Sequence, residues 1–597
     1  MEKSILLRFP DQLIILTVAT LLIVLPSVFS TEMMQGTVCG KMFFFLYTML
    51  IGIGLVVIKI VVKSTVCFRF SIIDVFSLIW VFYILWNGFF HQMPFSHRFY
   101  ELLGLIVFYI LVRQVDPSKQ WILLTAMLLG GAIQAVYGNL QLWGYYPSHH
   151  ILFRITGSFY NPGPFAGYLS GVFPIALSFC LFKMRPLIIR WIAFFALMVI
   201  LLILLPSQSR ASWTAVVLSS SVLLIARYPV MKWIKKQSRL LRGLMLLSVC
   251  VLISMGIFGF FQLKTDSVNG RFLIWKVTST MIAEHPVNGV GFDRFKANYM
   301  IGQAAYFEQM TQSPETMFAS DVNFAFNEFL QHTAENGLVG LALMLTLLFV
   351  AFRVSVEPFN VLAVIAKAGI IGIAVFSFFS YPAQILPIKM TLTFYLACLA
   401  SISEKRVFQP LRALYIPLKC FLITGAIASV LLGVNHLSIF QKAWNSWQWA
   451  YRVYATGNYA GSLPDYEKAW PVLKTNGDYL THYGKALCMA GEFKRALPVL
   501  QQAVLFFPNT VVLTTLGDSY KALGKPDEAE QSYLIAWYMN PSRFYPKYLL
   551  AKLYDETGQI EKAKSIARNL LYKEVKINSK AIDEIREEME LILQKHQ

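Results

Sequence analysis

The sequence predicts an all-α protein in two parts. A polytopic bundle of about thirteen membrane-spanning helices, N-terminus inside and C-terminus outside, leads into a helical-repeat solenoid. Three observations predict this. Of the 597 residues, 56% are hydrophobic and 14% are charged, against about a quarter charged in soluble domains. The apolar residues between Gln12 and Val434 gather into runs long enough to cross a bilayer, which takes about 20 residues per helix. After Leu437 the composition turns to mixed charge with regular apolar spacing. The boundary is placed between a membrane domain, residues 1–440, and a solenoid, residues 441–597.

The first run, Leu13 to Val28, is followed by further spans and by no small-residue cleavage site, so it is expected to be a retained anchor. Seven scattered cysteines show no CxxC or metal-ligand spacing and are read as small buried hydrophobes. The net charge of +19 would suit nucleic acid if it were clustered on one face. It lies instead in alternate short loops: Lys59, Lys63 and Arg69; Arg113 and Lys119; Lys183, Arg185 and Arg190; Lys232, Lys235, Lys236, Arg239 and Arg242; Lys405, Arg406 and Arg412. This is the positive-inside bias, and it excludes a nucleic-acid partner as the reason for the charge. The opposite loops then face outward: Trp143 to Pro164, Pro206 to Ser212, a large loop over 261–325, and everything after Leu437. In a bacterial inner membrane that side is the periplasm. It holds no ATP or nucleotide sugar, so any group transfer there needs a donor activated in advance.

In the solenoid, Gly457, Gly491, Gly524 and Gly558 recur at intervals of 34, 33 and 34 residues. Ala496, Ala529 and Ala563 each follow their glycine by five, and Ala469, Ala503 and Ala536 follow theirs by twelve. That is the period of tetratricopeptide helix pairs, in which small residues let the two helices pack closely. Ile582 to Lys595, with four glutamates, is expected to cap the stack. The concave face of such a solenoid binds a protein partner or serves only in packing.

Three outward segments carry candidate chemistry. Thr156-Gly157-Ser158-Phe159-Tyr160-Asn161-Pro162 reads as a turn into a helix, either structural or offering backbone N–H groups to an anionic headgroup. Ser207-Gln208-Ser209-Arg210-Ala211-Ser212-Trp213 places an arginine at the membrane boundary, where it snorkels or meets a phosphate. The large loop carries Arg271, Trp275, His285 and Arg294 and leads to Asn327, Glu328, His332 and Glu335, ending at Gly337 where the next span starts. On a helix, Glu328, His332 and Glu335 share one face. They are either proton-transfer groups or the solvated side of an amphipathic helix. Lys389, just inside the outer end of a span, is a snorkelling residue or a functional one.

The stretches GSFYNPGPFAGYL, SQSRASW, NGRFLIWKVTSTMIAEHPVNGVGFDRF and FNEFLQHTAENGLVGL, in this order and on one face, resemble the O-antigen ligase superfamily across about residues 70–400. The resemblance implies a GT-C-like bundle in the bacterial inner membrane with a periplasmic active site. It implies a metal-independent oligosaccharyltransferase or ligase without a cofactor, moving a glycan en bloc from undecaprenyl diphosphate to a hydroxyl of protein or of lipid A–core. By position, Arg210 and Arg271 would clamp the diphosphate, with Lys389 assisting, and Asn161, Trp275 and Asn327 would position substrate. One position departs from the family: its proposed base is a histidine directly before the motif's asparagine, and here Phe326 stands there. Phenylalanine takes no proton, so the base role passes to Glu328, with His332 second. An O-antigen polymerase is the enzymatic alternative, since the same site would serve it. A non-catalytic lipid-carrier transporter or scaffold is the alternative from another class, which would be expected to show inverted repeats or mid-membrane charges.

Overall fold

The computed structural model describes residues 2–596 apart from 63–67, 183–185, 230–232, 235, 242, 244–264, 312, 355–359, 404–405, 409–414 and 577. Lys63, Lys183, Arg185, Lys232, Lys235, Arg242, Lys405 and Arg412, and the apolar run across 244–260, therefore lie outside the described residues. The membrane part is helical: α1 (Glu2–Val24), α2 (Gly36–Val62), α3 (Ile72–Phe90), α4 (His97–Arg113), α5 (Gln120–Leu142), α6 (Pro162–Leu181), α7 (Leu187–Leu204), α8 (Arg210–Arg227), α9 (Thr265–Glu284), α10 (Phe295–Gln309), α11 (Glu328–Arg353), α12 (Val361–Ser377) and α13 (Leu386–Ile402). α14 (Tyr415–Ala455) leaves it.

Eight helices among the described residues are long and apolar enough to cross a bilayer, fewer than the thirteen runs expected. The difference has a physical source. α12 and α13 are apolar but only 17 residues long, about 26 Å at 1.5 Å per residue. α4 and α8 carry charges or serines that dilute their apolar character. A second departure is an antiparallel ribbon of two short strands, β1 (Phe68–Phe70) and β2 (Arg406–Phe408), in a chain expected to be wholly helical.

Charged side chains tie α4 at each end. At one end Arg113 holds Asp74, the capping-box carboxylate at the start of α3, at 2.9 Å, and also donates to the Arg69 carbonyl in β1. At the other end Arg98 bridges Asp293 at 2.8 Å and Glu335 at 2.8 and 3.0 Å. The residues expected in the site gather at this second end.

There α11 breaks. Gly337 sits inside it at φ +66°, ψ −174°, so the carbonyls ahead of it lose their helical donors. The segment 286–291 supplies replacements: Val290 N–H donates to the Ala334 oxygen at 2.9 Å and Gly291 N–H to the Glu335 oxygen at 2.8 Å. Leu338 N–H returns a bond to the Pro286 oxygen at 2.8 Å, and the Tyr83 hydroxyl donates to the Asn336 oxygen at 2.9 Å. The Pro286-Val287-Asn288-Gly289-Val290-Gly291 stretch is thus a latch on a broken helix. A Cβ on Gly289 would overlap the 334–336 backbone, and one on Gly337 would overlap Val287.

α14 runs unbroken through the boundary placed at 440/441. It is about 60 Å long, and its second half, with Trp444 and Trp447 fully buried, forms the first helix of the solenoid. The repeats follow as α15 (Tyr459–Leu473), α16 (Gly477–Met489), α17 (Phe493–Phe506), α18 (Thr510–Ala522), α19 (Pro526–Met539), α20 (Tyr545–Glu556) and α21 (Ile560–Tyr572), closed by α22 (Lys580–Lys595). The four recurrent glycines occupy the turns between paired helices, all at φ from +73° to +84°, where a Cβ is disfavoured.

Gly337→Ala should destabilise the protein by about 3 kcal/mol or more, combining left-handed strain with steric overlap. Gly425→Ala in α14, where a Cβ meets nothing within 4 Å, should not. Thermal unfolding of the two variants in detergent reads the difference.

Candidate functional site

Arg271 lies on the second turn of α9, outside the apolar helices. Its Nη1 donates to the Phe379 carbonyl at 3.0 Å, and its guanidinium sits 5.3 Å over the ring of Phe326. Burial, together with the nearby Arg210 guanidinium at the start of α8, pushes the Arg271 pKa below its ordinary value. The structure therefore brings the two arginines together from segments 61 residues apart (271 minus 210). Around Arg271 stand half-buried aromatics and the buried Tyr381. Phe324 stacks on Tyr381 at 4.4 Å between ring centroids, and Phe326 meets Tyr381 edge-on at 5.3 Å. Tyr160 and Tyr381 share a hydrogen bond, and burial raises both phenols above their usual range. Phe326 adopts φ +51°, unusual for a bulky residue. Its strained backbone aims the ring at Arg271, at the position where the superfamily carries its histidine.

Glu328 begins α11 two residues later. Its Oε2 accepts from Ala383 N–H at 3.1 Å. It lines the mouth of a largely apolar cavity of about 530 Å³ that also holds His332, Arg98 and Lys389 and runs past Leu102, Ile106, Leu347 and Ile373 towards Arg113. His332 is buried with both ring nitrogens engaged: Nε2 accepts from the Trp80 indole at 3.3 Å, and Nδ1 faces the Asn336 amide at 3.3 Å. Glu335, the third residue of the expected face, belongs to the bidentate pair with Arg98. Lys389 is ion-paired with the fully buried Glu101 of α4. Its charge is already balanced inside the bundle; Lys389 and Glu328 share the cavity with Arg98 and His332, whereas Arg271 meets Phe379 and Phe326.

The residues expected to position substrate hold backbone. Asn161 caps α6 by accepting from Gly163 N–H at 2.9 Å, and Asn327 caps α11 by accepting from Phe329 and Leu330 N–H at 3.0 and 3.1 Å. Trp275 donates its indole N–H to the Ala325 carbonyl at 3.0 Å and so fixes the segment carrying Phe326. The turn at 156–158 does not offer its N–H groups to a headgroup. Thr156 and Gly157 donate to Gln141 Oε1 at 3.0 and 2.7 Å, and Ser158 donates to Gln134 Oε1 at 3.2 Å.

Residues 193–345 match the model of the O-antigen ligase family, and residues 511–542 match that of a tetratricopeptide repeat. The membrane part is similar to the O-antigen ligase family over that segment. No curated protein matches the chain. The matched segment of the ligase domain contains Arg210, Arg271, Phe326 and Glu328, while Tyr160 and Tyr381 complete the cluster from outside it. The two matches support a membrane glycosyltransferase of the O-antigen ligase or polymerase kind, with a repeat region attached.

Sequence reasoning passed over Arg98, Asp293 and Tyr381. Arg98 opens the helix α4 outside the quoted stretches, Tyr381 lies in a short connection, and Asp293 closes a quoted stretch without being singled out there. The usable signal for Arg98 was an arginine set directly before an apolar run, and for Tyr381 its place next to Pro382 between two apolar helices. In the membrane part Arg98 pairs with two carboxylates at once, and the cations facing Asp293, with a Ser96 contact, hold its carboxyl below the usual range against the opposing effect of burial. Arg98→Ala would leave both carboxylates buried without a partner and should cost about 3–5 kcal/mol. Thermal unfolding of the purified variant measures it.

Proposed function

We propose that this protein transfers a glycan en bloc from undecaprenyl diphosphate to an acceptor hydroxyl, of a protein serine or threonine or of lipid A–core, at the periplasmic face of the bacterial inner membrane. The observation that carries the reading is that Arg271, half-buried against the Phe326 ring, lies near enough to Arg210 to feel its charge. Two guanidiniums held close in low dielectric repel each other, and an anion between them reverses the sign of that interaction. A diphosphate fits in charge and in its donor-matching oxygens.

In the proposed reaction the acceptor oxygen attacks C1 of the first sugar, and the C1–O bond to the diphosphate breaks. The electron pair leaves on the diphosphate, where the arginines stabilise the charge as it develops. The acceptor's proton passes to Glu328. Glu328 is preferred to His332 because its second carboxylate oxygen is uncommitted to the Ala383 contact, whereas both imidazole nitrogens face partners. Phe326 serves as a wall against Arg271 and does not act as an acid or base. Lys389 is reassigned to the Glu101 pair that lines the cavity, in place of a phosphate contact. The apolar cavity between α3, α4, α11, α12 and α13 gives room for part of a prenyl chain. The phosphate role rests on arginine, and the reading invokes no metal or cofactor.

Arg271→Ala should lower transfer from a lipid-diphosphate donor by about 10²-fold or more while membrane insertion is unchanged. Normal transfer by that variant would overturn the diphosphate assignment. Glu328→Gln should reduce turnover by about 10²-fold or more with donor binding retained, and an unchanged rate would remove Glu328 as the base. Separate blots of lipopolysaccharide and of periplasmic proteins from cells lacking the gene identify the acceptor. If the only product is a longer glycan still on its carrier, the activity is polymerisation and en bloc transfer is wrong.

A further inference from the structure

The solenoid does more than sit beside the membrane domain. Its inter-repeat loops grip the segment 319–327, the strap that ends in Phe326 and Asn327. Asp321 accepts from the Thr510 hydroxyl at 2.6 Å, at the start of α18, and pairs with Arg543 at 2.7 Å, in the connection before α20. The Gln303 amide of α10 bridges the Ser320 carbonyl, at 3.1 Å, to the Met539 carbonyl at the end of α19. The Asn540 amide, in the orientation that satisfies its neighbours, donates to the Ala319 carbonyl at 3.3 Å. Ala319 and Asp321 are thus held directly by the repeats, and Ser320 through Gln303. The next ones are committed to the site: Phe324 to Tyr381, the Ala325 carbonyl to Trp275, the Ala325 N–H to Gln331 Oε1 at 3.0 Å, and Phe326 to Arg271.

From this continuous path we infer that Asp321, Thr510 and Arg543 are positioning residues for glycosyl transfer, so that the solenoid forms a wall of the reaction site as well as any acceptor-binding surface. The inference rests on the transfer reading above. A strap released at 319–321 loses the restraint that keeps Phe326 in its strained turn against Arg271. A misplacement of about 1 Å near reacting groups costs up to about 10²-fold in rate. A module that only recruits acceptors would instead alter KM for a folded acceptor and leave kcat on a minimal one intact.

The test uses the full-length protein with Asp321→Ala, Arg543→Ala and the charge swap Asp321→Arg/Arg543→Asp. Transfer is measured to a short hydroxyl-bearing peptide and to a folded acceptor, and hydrogen exchange is followed over 319–327. The single variants should lower kcat about tenfold or more on both acceptors, with donor KM unchanged and faster exchange in the strap. The swap should recover part of the rate and of the protection. Unchanged kcat on the short peptide, or unchanged exchange in the strap, would overturn the inference. Lack of transfer by the unaltered protein to any acceptor would instead overturn the transfer reading, while the exchange result would still decide whether the junction holds the strap.

Discussion

A helix broken where backbone groups cannot be left to water is the constraint on which the rest of this structure depends. At Gly337 the chain of α11 turns through a left-handed residue, and the carbonyls of 334–336 need donors from elsewhere. The latch at 286–291, the Tyr83 hydroxyl and the Asn87 amide provide them. Arg98 then fastens both partners, holding Asp293 after the latch and Glu335 before the break. A single buried cation thereby joins α4, the segment that carries Asp293, and α11. The orientation of the half-helix that begins at Glu328 follows from those bonds.

The site is a compromise between electrostatics and shape. The Arg210 charge disfavours the Arg271 charge, while the Phe379 carbonyl and the Phe326 ring hold the Arg271 guanidinium in place. Tyr160 and Tyr381 surround them with groups that burial keeps protonated and neutral. Phe326 adds a ring face to the guanidinium where a histidine would add a proton acceptor. The phenyl ring makes a cation–π contact with Arg271, and in the proposed reaction the base is the carboxylate two residues on.

Motifs and roles part company in an instructive way. Asn161, Asn327, Gly289 and Gly337 stand in the most recognisable stretches, yet each serves the backbone as a cap or a tight turn. The motifs mark where the chain must take a particular path, and the reactive side chains ride on that path. Lys389 shows the reverse difficulty. An intramembrane lysine reads as functional until its partner is known, and Glu101 lies 288 residues away in sequence. Glu335 likewise looked like a third proton-transfer group, because helical spacing says which face a residue takes but not what waits opposite.

The sequence by itself determined the helical class, the membrane character, the repeat domain with its period, and the two arginines and Glu328 as candidates. Those features follow from local composition and spacing, which are written along the chain. Tertiary structure decided which candidates meet. It set Arg210 beside Arg271, closed Lys389 with Glu101, engaged both nitrogens of His332, and carried α14 unbroken from the bundle into the repeats. Partners far apart in sequence are chosen by packing, and no local pattern records that choice.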